Sequence, residues 1–190
     1  MTATRLTALC LALTLGTGAK ATPITYDLDA AASKIAFAAN FGQDRITGQI
    51  PPDIAELTLD FEQVQNCKIA VSLDVRKARA NIPFAAEALK SAAVLDAQSH
   101  PRMTFHSTKV RPTPNGAEVT GMLMIRGVSK PVILDARLYR PQGSKKGDRR
   151  TLTLHLTGDV SRKAFGANGW AELVGDRVHI SILARIHARD

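Results

Sequence analysis

One stretch, Ser99 to Leu134, constrains what this chain can fold into more than any other. It holds three runs of alternating apolar and polar residues joined by two turn signals. Pro112-Thr113-Pro114-Asn115-Gly116 supplies the first link, because Asn-Gly accepts positive φ readily and reverses a chain tightly. Arg126-Gly127-Val128-Ser129-Lys130-Pro131 supplies the second. Runs of period two joined by tight reversals predict an antiparallel meander, and the rest of the chain reads as strands that complete its sheet.

The first residues have a different logic. Met1 to Arg5 carries one positive charge, and Leu6 to Leu15 is apolar over too short a span to cross a bilayer. Ala19 and Ala21 satisfy the small-residue rule for signal cleavage. The expectation is a secretory signal, residues 1–21, cleaved after Ala21, and a domain over 22–190 that is exported to the periplasm. Leu9 before Cys10 argues against a lipid-anchor signal. Cleavage leaves 169 of the 190 residues and, with Arg5 and Lys20 gone, lowers the net charge from +8 to +6. That basicity is spread along the chain and reads mainly as solvated surface, and export argues against nucleic acid as a partner. The denser run Lys145-Lys146-Gly147-Asp148-Arg149-Arg150 is either an attraction to anionic lipid or phosphate, with transient membrane-surface contact, or a solvated hairpin tip. Cys67 is left without an internal disulfide partner once Cys10 departs, so a buried structural thiol is expected.

Period-two patterning continues outside the meander. Ile35, Phe37, Ala39 and Phe41 share one face; Ile46, Gly48 and Ile50, then Leu57, Leu59 and Phe61, then Ile69, Val71, Leu73 and Val75 follow suit. Asp27 to Ser33 reads as a turn. After the meander come Leu152, Leu154 and Leu156, and a final long strand through Val178, Ile180, Ile182, Ala184 and Ile186. Asn81 to Gln98 breaks the rule: Asn81 as cap, Pro83 early and an alanine-rich run predict one helical excursion with a break near Ser91, stopped by His100-Pro101. Phe84, Leu89 and Leu95 would need an apolar surface to cover.

Eight to ten strands and one helix leave a sandwich or a barrel. The strand lengths favour an all-β, extended antiparallel barrel of about eight strands, because closure removes exposed edges. Its dry face carries almost no charge: Phe37, Phe41, Phe61, Met103, Phe105, Leu123, Ile125, Leu134, Leu154, Ile180 and Ile182. Such an interior cannot stabilise a polar transition state. It either packs on itself, leaving a protein-interaction module with a filled core, or holds a hydrocarbon. His106, His155, His179 and His187 fall on the opposite, polar phase, and no short metal-ligand motif, Gly-x-Ser-x-Gly or phosphate loop appears. Neither an enzyme, a metal nor a cofactor is expected. The oligomeric state is left open, a homodimer included.

Four segments carry a family resemblance. They are Tyr26-Asp-Leu-Asp29 with Ser33-Lys-Ile35-Ala-Phe37 and Gly48; Leu89-Lys-Ser91 to Asp96 with His100-Pro101-Arg-Met-Thr-Phe105-His-Ser107; Val119 to Val132; and Ser161-Arg162-Lys163-Ala-Phe165-Gly166. The chain resembles the YceI-like lipid-binding proteins from Tyr26 to Ile186. The resemblance implies a lipocalin-like barrel whose apolar tunnel holds a polyisoprenoid or other long-chain lipid, with a polar or pyrophosphate head near the mouth and no catalysis. The expected lining is Phe37, Phe41, Phe84, Met103, Phe105, Leu123, Ile125, Leu134, Leu154, Trp170, Ile180 and Ile182. Head-group candidates at strand ends and turns are Arg45, Arg126, Lys130, Arg162 and Lys163. Two departures, Asn40 for the family's first-strand His and Val94-Leu95 for its aromatic pair before Asp96, bear on ligand length or head-group choice.

Overall fold

The computed structural model describes residues 22–82 and 84–189. The expected signal segment, its cleavage site and Pro83 lie outside the described residues. The strands are β1 (Ile24–Phe41), β2 (Asp44–Gln49), β3 (Pro52–Leu59), β4 (Lys68–Asp74), β5 (Arg79–Ala80), β6 (Arg102–Thr113), β7 (Gly116–Ile125), β8 (Val128–Tyr139), β9 (Thr151–Ser161) and β10 (Val174–Ala188), with one short helix, α1 (Ala85–Lys90). Eight strands close a ring in the order β1, β3, β4, β6, β7, β8, β9, β10, with β10 returning to β1. Every pairing is antiparallel. The all-β barrel expected from the strand lengths is therefore present, and closure leaves no long edge.

The first strand serves two neighbours. Ile24–Tyr26 pair with β3, while Ala36–Phe41 pair with β2, which carries the two-residue β5 beyond it. The β2–β5 flap thus extends the wall at one end of the ring. Asp27 to Ser33, expected as a turn, instead lies inside β1. Pairing with β10 continues on both sides of it and absorbs the polar residues in a register shift between Asp29 and Lys34. The Asp29 carboxylate accepts from the Ala32 amide at 3.0 Å there, so the irregularity keeps its turn chemistry without leaving the strand.

The organising meander forms as β6, β7 and β8, with a continuous ladder between β7 and β8 and a register shift between Ser107 and Lys109 in the β6–β7 ladder. Its second reversal is a two-residue turn at Arg126 (φ 53°) and Gly127 (φ 74°), the mirror-image geometry that suits strand twist. Its first differs from expectation. Pro114 and Asn115 form the loop, and the positive φ falls on Gly116, already in β7. A Cβ at Gly116 would strike the Ala136 carbonyl of β8, so close strand approach is what requires glycine.

The helical excursion is shorter than expected, a single α1 of six residues. Asn81 does not cap it. Its Oδ1 accepts from the Thr47 amide at 2.8 Å and its own amide donates to the Thr47 carbonyl, prolonging the β2–β5 pairing instead. Ser91 ends the helix in extended conformation. Beyond it the chain folds back, with the amides of Leu95, Asp96 and Ala97 donating to the carbonyls of Leu89, Ser91 and Lys90. The Arg126 guanidinium donates to the Ala92 and Val94 carbonyls at 2.6 and 2.8 Å. These tertiary bonds outcompete the alanine propensity for helix over Ala92 to Ala97.

Two apolar clusters mark the two ends of the ring. One gathers Tyr26, Leu57, Leu59, Val110, Val119, Leu152 and Ile186 into a densely packed floor. The Tyr26 hydroxyl donates to the Arg149 carbonyl at 2.8 Å, and the Arg149 guanidinium stacks on Phe61 at 4.3 Å. The basic Lys145–Arg150 loop therefore lies at the floor, and the Asp148 carboxylate there accepts from Arg150 at 2.7 Å. The second cluster, around Ile50, Val75, Leu95, Ile125, Val160 and Phe165, surrounds the opposite end. Cys67, just ahead of β4, is half-buried. Its sulfur accepts from the Asp60 amide at 3.3 Å, and burial pushes the thiol pKa up.

Candidate ligand-binding site

The inward phase of the strands faces open space. Ile35, Phe37, Met103, Phe105, Ile180 and Ile182 all point inward, yet none is fully buried by neighbouring protein atoms. The reason is partly local. A Cβ at Gly48, the β2 partner of Phe37, would land on the Phe37 ring. A Cβ at Gly121 of β7 would land on the Phe105 ring and within 2.6 Å of the His106 carbonyl. Both rings thus lie down over glycines on the wall instead of projecting into the lumen.

The result is an outer cavity of about 490 Å³ and an inner one of about 110 Å³. The outer cavity lies between the β1–β2 hairpin, α1, the 160–174 segment and the upper parts of β4, β6 and β10. Its lining is aliphatic and aromatic, and among the described residues Arg162 is the sole charged member. The inner cavity lies toward the floor, lined by residues including Leu57, Ile69, Val71, Leu123, Leu134 and Leu154, with Ser33 and Thr104 as its polar members.

Of the expected lining residues, Phe37, Phe41, Phe84, Met103, Ile125, Trp170 and Ile180 border the outer cavity. Phe105, Leu123, Leu134, Leu154 and Ile182 border the inner one. The sequence pattern missed the contribution of the excursion and the β2–β5 flap: Ala80, Ile82, Ala88, Leu89, Val94 and Leu95 also line the outer cavity. Strand alternation says nothing about a loop folding over a barrel end. Phe84 does not cover an apolar surface as expected. It is 88% exposed at the rim, as are Trp170 (47%) and Leu173 (51%) in part. Phe84 (φ 61°) and Trp170 (φ 51°) both hold the left-handed backbone that bulky residues avoid.

The head-group candidates differ in what their charges already meet. Arg162 lines the cavity but is 7% exposed, and its guanidinium donates to the carbonyls of Ala167, Gly169, Val174 and Gly175 at 2.5–3.1 Å. Burial lowers its pKa, the nearby Asp176 opposing that shift; the carbonyl cage meets the charge. Arg126 is engaged with the Ala92 and Val94 carbonyls. Arg45, Lys130 and Lys163 are exposed and border neither cavity. Of the two departures, Val94-Leu95 lies in the lining, whereas Asn40 is exposed and packs beside Gly175. The four strand histidines, His106 included, sit on the outer phase, where His155 meets Ser181 at 3.3 Å, His179 meets Asp159 at 3.0 Å and His187 meets Thr151 at 3.0 Å.

Fold and cavity together define a class: a lipocalin-like antiparallel barrel, sealed at its floor and hollow toward the other end. The chain belongs to the YceI-like family, whose domain model matches residues 26–186. It is 30% identical over 174 residues to a UPF0312 protein of Vibrio parahaemolyticus serotype O3:K6, covering 88% of this chain and 92% of that one. A UPF0312 protein of Vibrio campbellii is 30% identical over 146 residues, 76% of this chain and 77% of that one. Among solved structures, Burkholderia cenocepacia BcnA superposes with a TM-score of 0.75 at 21% identity, over 84% of this chain and 99% of that one. A polyisoprenoid binding domain from Saccharophagus degradans superposes with a TM-score of 0.61 at 12% identity, over 87% and 99%.

Proposed function

We propose that this protein is an exported, non-catalytic carrier that holds a polyisoprenoid or other long-chain lipid in its barrel, for carriage, storage or sensing in the periplasm. The outer cavity supports this most directly: about 490 Å³ of space, lined by hydrocarbon, with its one charge already satisfied by carbonyls. An isoprenoid chain buries apolar carbons there at about 0.8 kcal/mol per methylene-sized group, enough to offset the ordering of the chain. The solved polyisoprenoid binding domain shares the barrel, which favours the same ligand class here. With Arg162 spent on the protein's own backbone, the lining offers no free cation to a charged head. The ligand's polar end is then best left in water at the rim, where Phe84, Trp170 and Leu173 provide an apolar surface for transient membrane contact.

The test is native mass spectrometry of the protein drawn from the periplasm of its own producing cell, followed by organic extraction. The expected result is a mass excess that extraction removes and that fragments as an isoprenoid or long acyl chain. Trp170 is the sole tryptophan and lines the cavity, so its emission should also shift when the stripped protein is titrated with a polyprenol. A bare mass together with an unresponsive Trp170 would overturn the carrier reading and leave a protein-interaction module without a lipid ligand.

A further inference from the structure

The two cavities meet at a collar. Four residues border both of them: Ile35 of β1, Leu73 of β4, Met103 of β6 and Ile180 of β10. They stand on opposite sides of the ring, because Leu73 and Met103 are register partners on one side while β1 and β10 pair on the other. Ile35 and Ile180 are β-branched and stiff at χ1. Leu73 is buried in the wall. Met103 is half-buried, unbranched and has three rotatable side-chain bonds, so it is the member of the collar that can move aside without disturbing the sheet.

Below the collar the inner chamber ends on a packed floor, where Tyr26, Val119, Leu152 and Ile186 are 0–1% exposed. Interiors pack densely, with few voids beyond the size of a water molecule, and dry apolar cavities of comparable volume take up small hydrocarbons. At about 110 Å³ the chamber has room for roughly one isoprene unit, judged against a cavity of about 150 Å³ that holds a six-carbon ring.

We infer that the inner chamber is the seat for the terminal hydrocarbon segment of chains too long for the outer cavity. Met103 is the gate that admits that segment and so sets the preferred chain length. The inference rests on the carrier reading and deepens it. The occupant is an end of chain without heteroatoms, because the chamber's wall is hydrocarbon apart from Ser33 and Thr104.

The experiment compares the full chain, stripped of lipid, with Met103→Ala, Met103→Leu and Met103→Phe. Each is titrated with a ladder of linear polyprenols rising one isoprene unit at a time, and binding is read by competition in native mass spectra. Wild-type protein should show a preferred length. Met103→Ala should move it up by at least one unit, with affinity for the longer chain raised at least about tenfold, since each added unit buries several methylene equivalents. Met103→Phe should move it down, and Met103→Leu, branched and less able to swing aside, should move it down by less. Thermal melts establish that each variant is folded, and if Met103→Ala is not, the graded fall from wild type through Leu to Phe carries the comparison. Binding by all folded proteins with one shared length profile would overturn the gate while leaving the carrier reading intact. Failure of wild-type protein to bind any length would overturn both.

Discussion

At the scale of single residues, whether this barrel is hollow turns on small groups in its wall. Period two placed Phe37 and Phe105 on the inward phase, and inward phenyl rings would ordinarily fill a lumen of this size. They do not, because glycines at positions 48 and 121 let the rings lie against the sheet. The sequence shows the glycines but not the ring positions, which depend on strand pairing: Gly48 is the register partner of Phe37, whereas Gly121 sits diagonally from Phe105. Gly121→Ala separates the two contributions by sign. In a strand without obstruction, alanine stabilises relative to glycine by about 0.5–1 kcal/mol. Here the added methyl must displace the Phe105 ring and press on the His106 carbonyl, and overpacking of that kind costs about 1–3 kcal/mol. Urea denaturation should show a lower midpoint at unchanged slope. A midpoint above wild type would show that the ring moves freely and that glycine is not what keeps it on the wall.

At the scale of elements, the strands were more legible than the pieces that cover the mouth. Each ring strand buries one face against the interior and turns the other to water, so alternation marks it directly. The excursion after β5 and the segment after β9 have no such constraint. Their paths are fixed by hydrogen bonds to backbone carbonyls, from the distant Arg126 for the first and from its own Arg162 for the second, and those bonds leave no periodic trace. A sequence reading therefore counts both arginines among candidates for a ligand's head, and the structure has them holding loops. Arg162 is the stronger case, since one guanidinium ties four carbonyls of the Ala167–Gly175 segment. Arg162→Met keeps the apolar stem and removes every donor, leaving buried acceptors unpaired at a loss of at least about 2 kcal/mol. The expected signature is local: faster amide exchange at Gly169, whose amide donates to the Ala93 carbonyl, and a red-shifted Trp170 emission as the segment loosens. Unchanged exchange there would mean that the loop is held by its apolar packing alone.

At the scale of the whole molecule, the sequence reached the barrel but left its interior undecided. The same inward residues serve a packed core and a cavity lining, and both occur in this chain: Leu152 and Ile186 close the floor while Phe37 and Ile180 border open space. Which applies where is set by barrel circumference and by the short pairing of β1 with β3, properties of the closed ring that no single strand reveals. A hollow end has a thermodynamic consequence. Empty apolar space forfeits dispersion contacts that a filled core would have, so the ligand-free protein is less stable than its strand content suggests. A chain that fills the outer cavity restores those contacts and binds only the folded state. At a free ligand concentration one hundred times Kd it adds about 2.7 kcal/mol. For a domain of this size that corresponds to a rise in Tm of about 5–11 °C, and the shift should grow with the logarithm of ligand concentration beyond saturation. Differential scanning calorimetry on stripped and reloaded protein reads this directly. An isoprenoid that binds by mass spectrometry yet leaves Tm unmoved at that excess would be sitting on the outer wall, on surface such as Ile54 and Ile133, and not inside the ring.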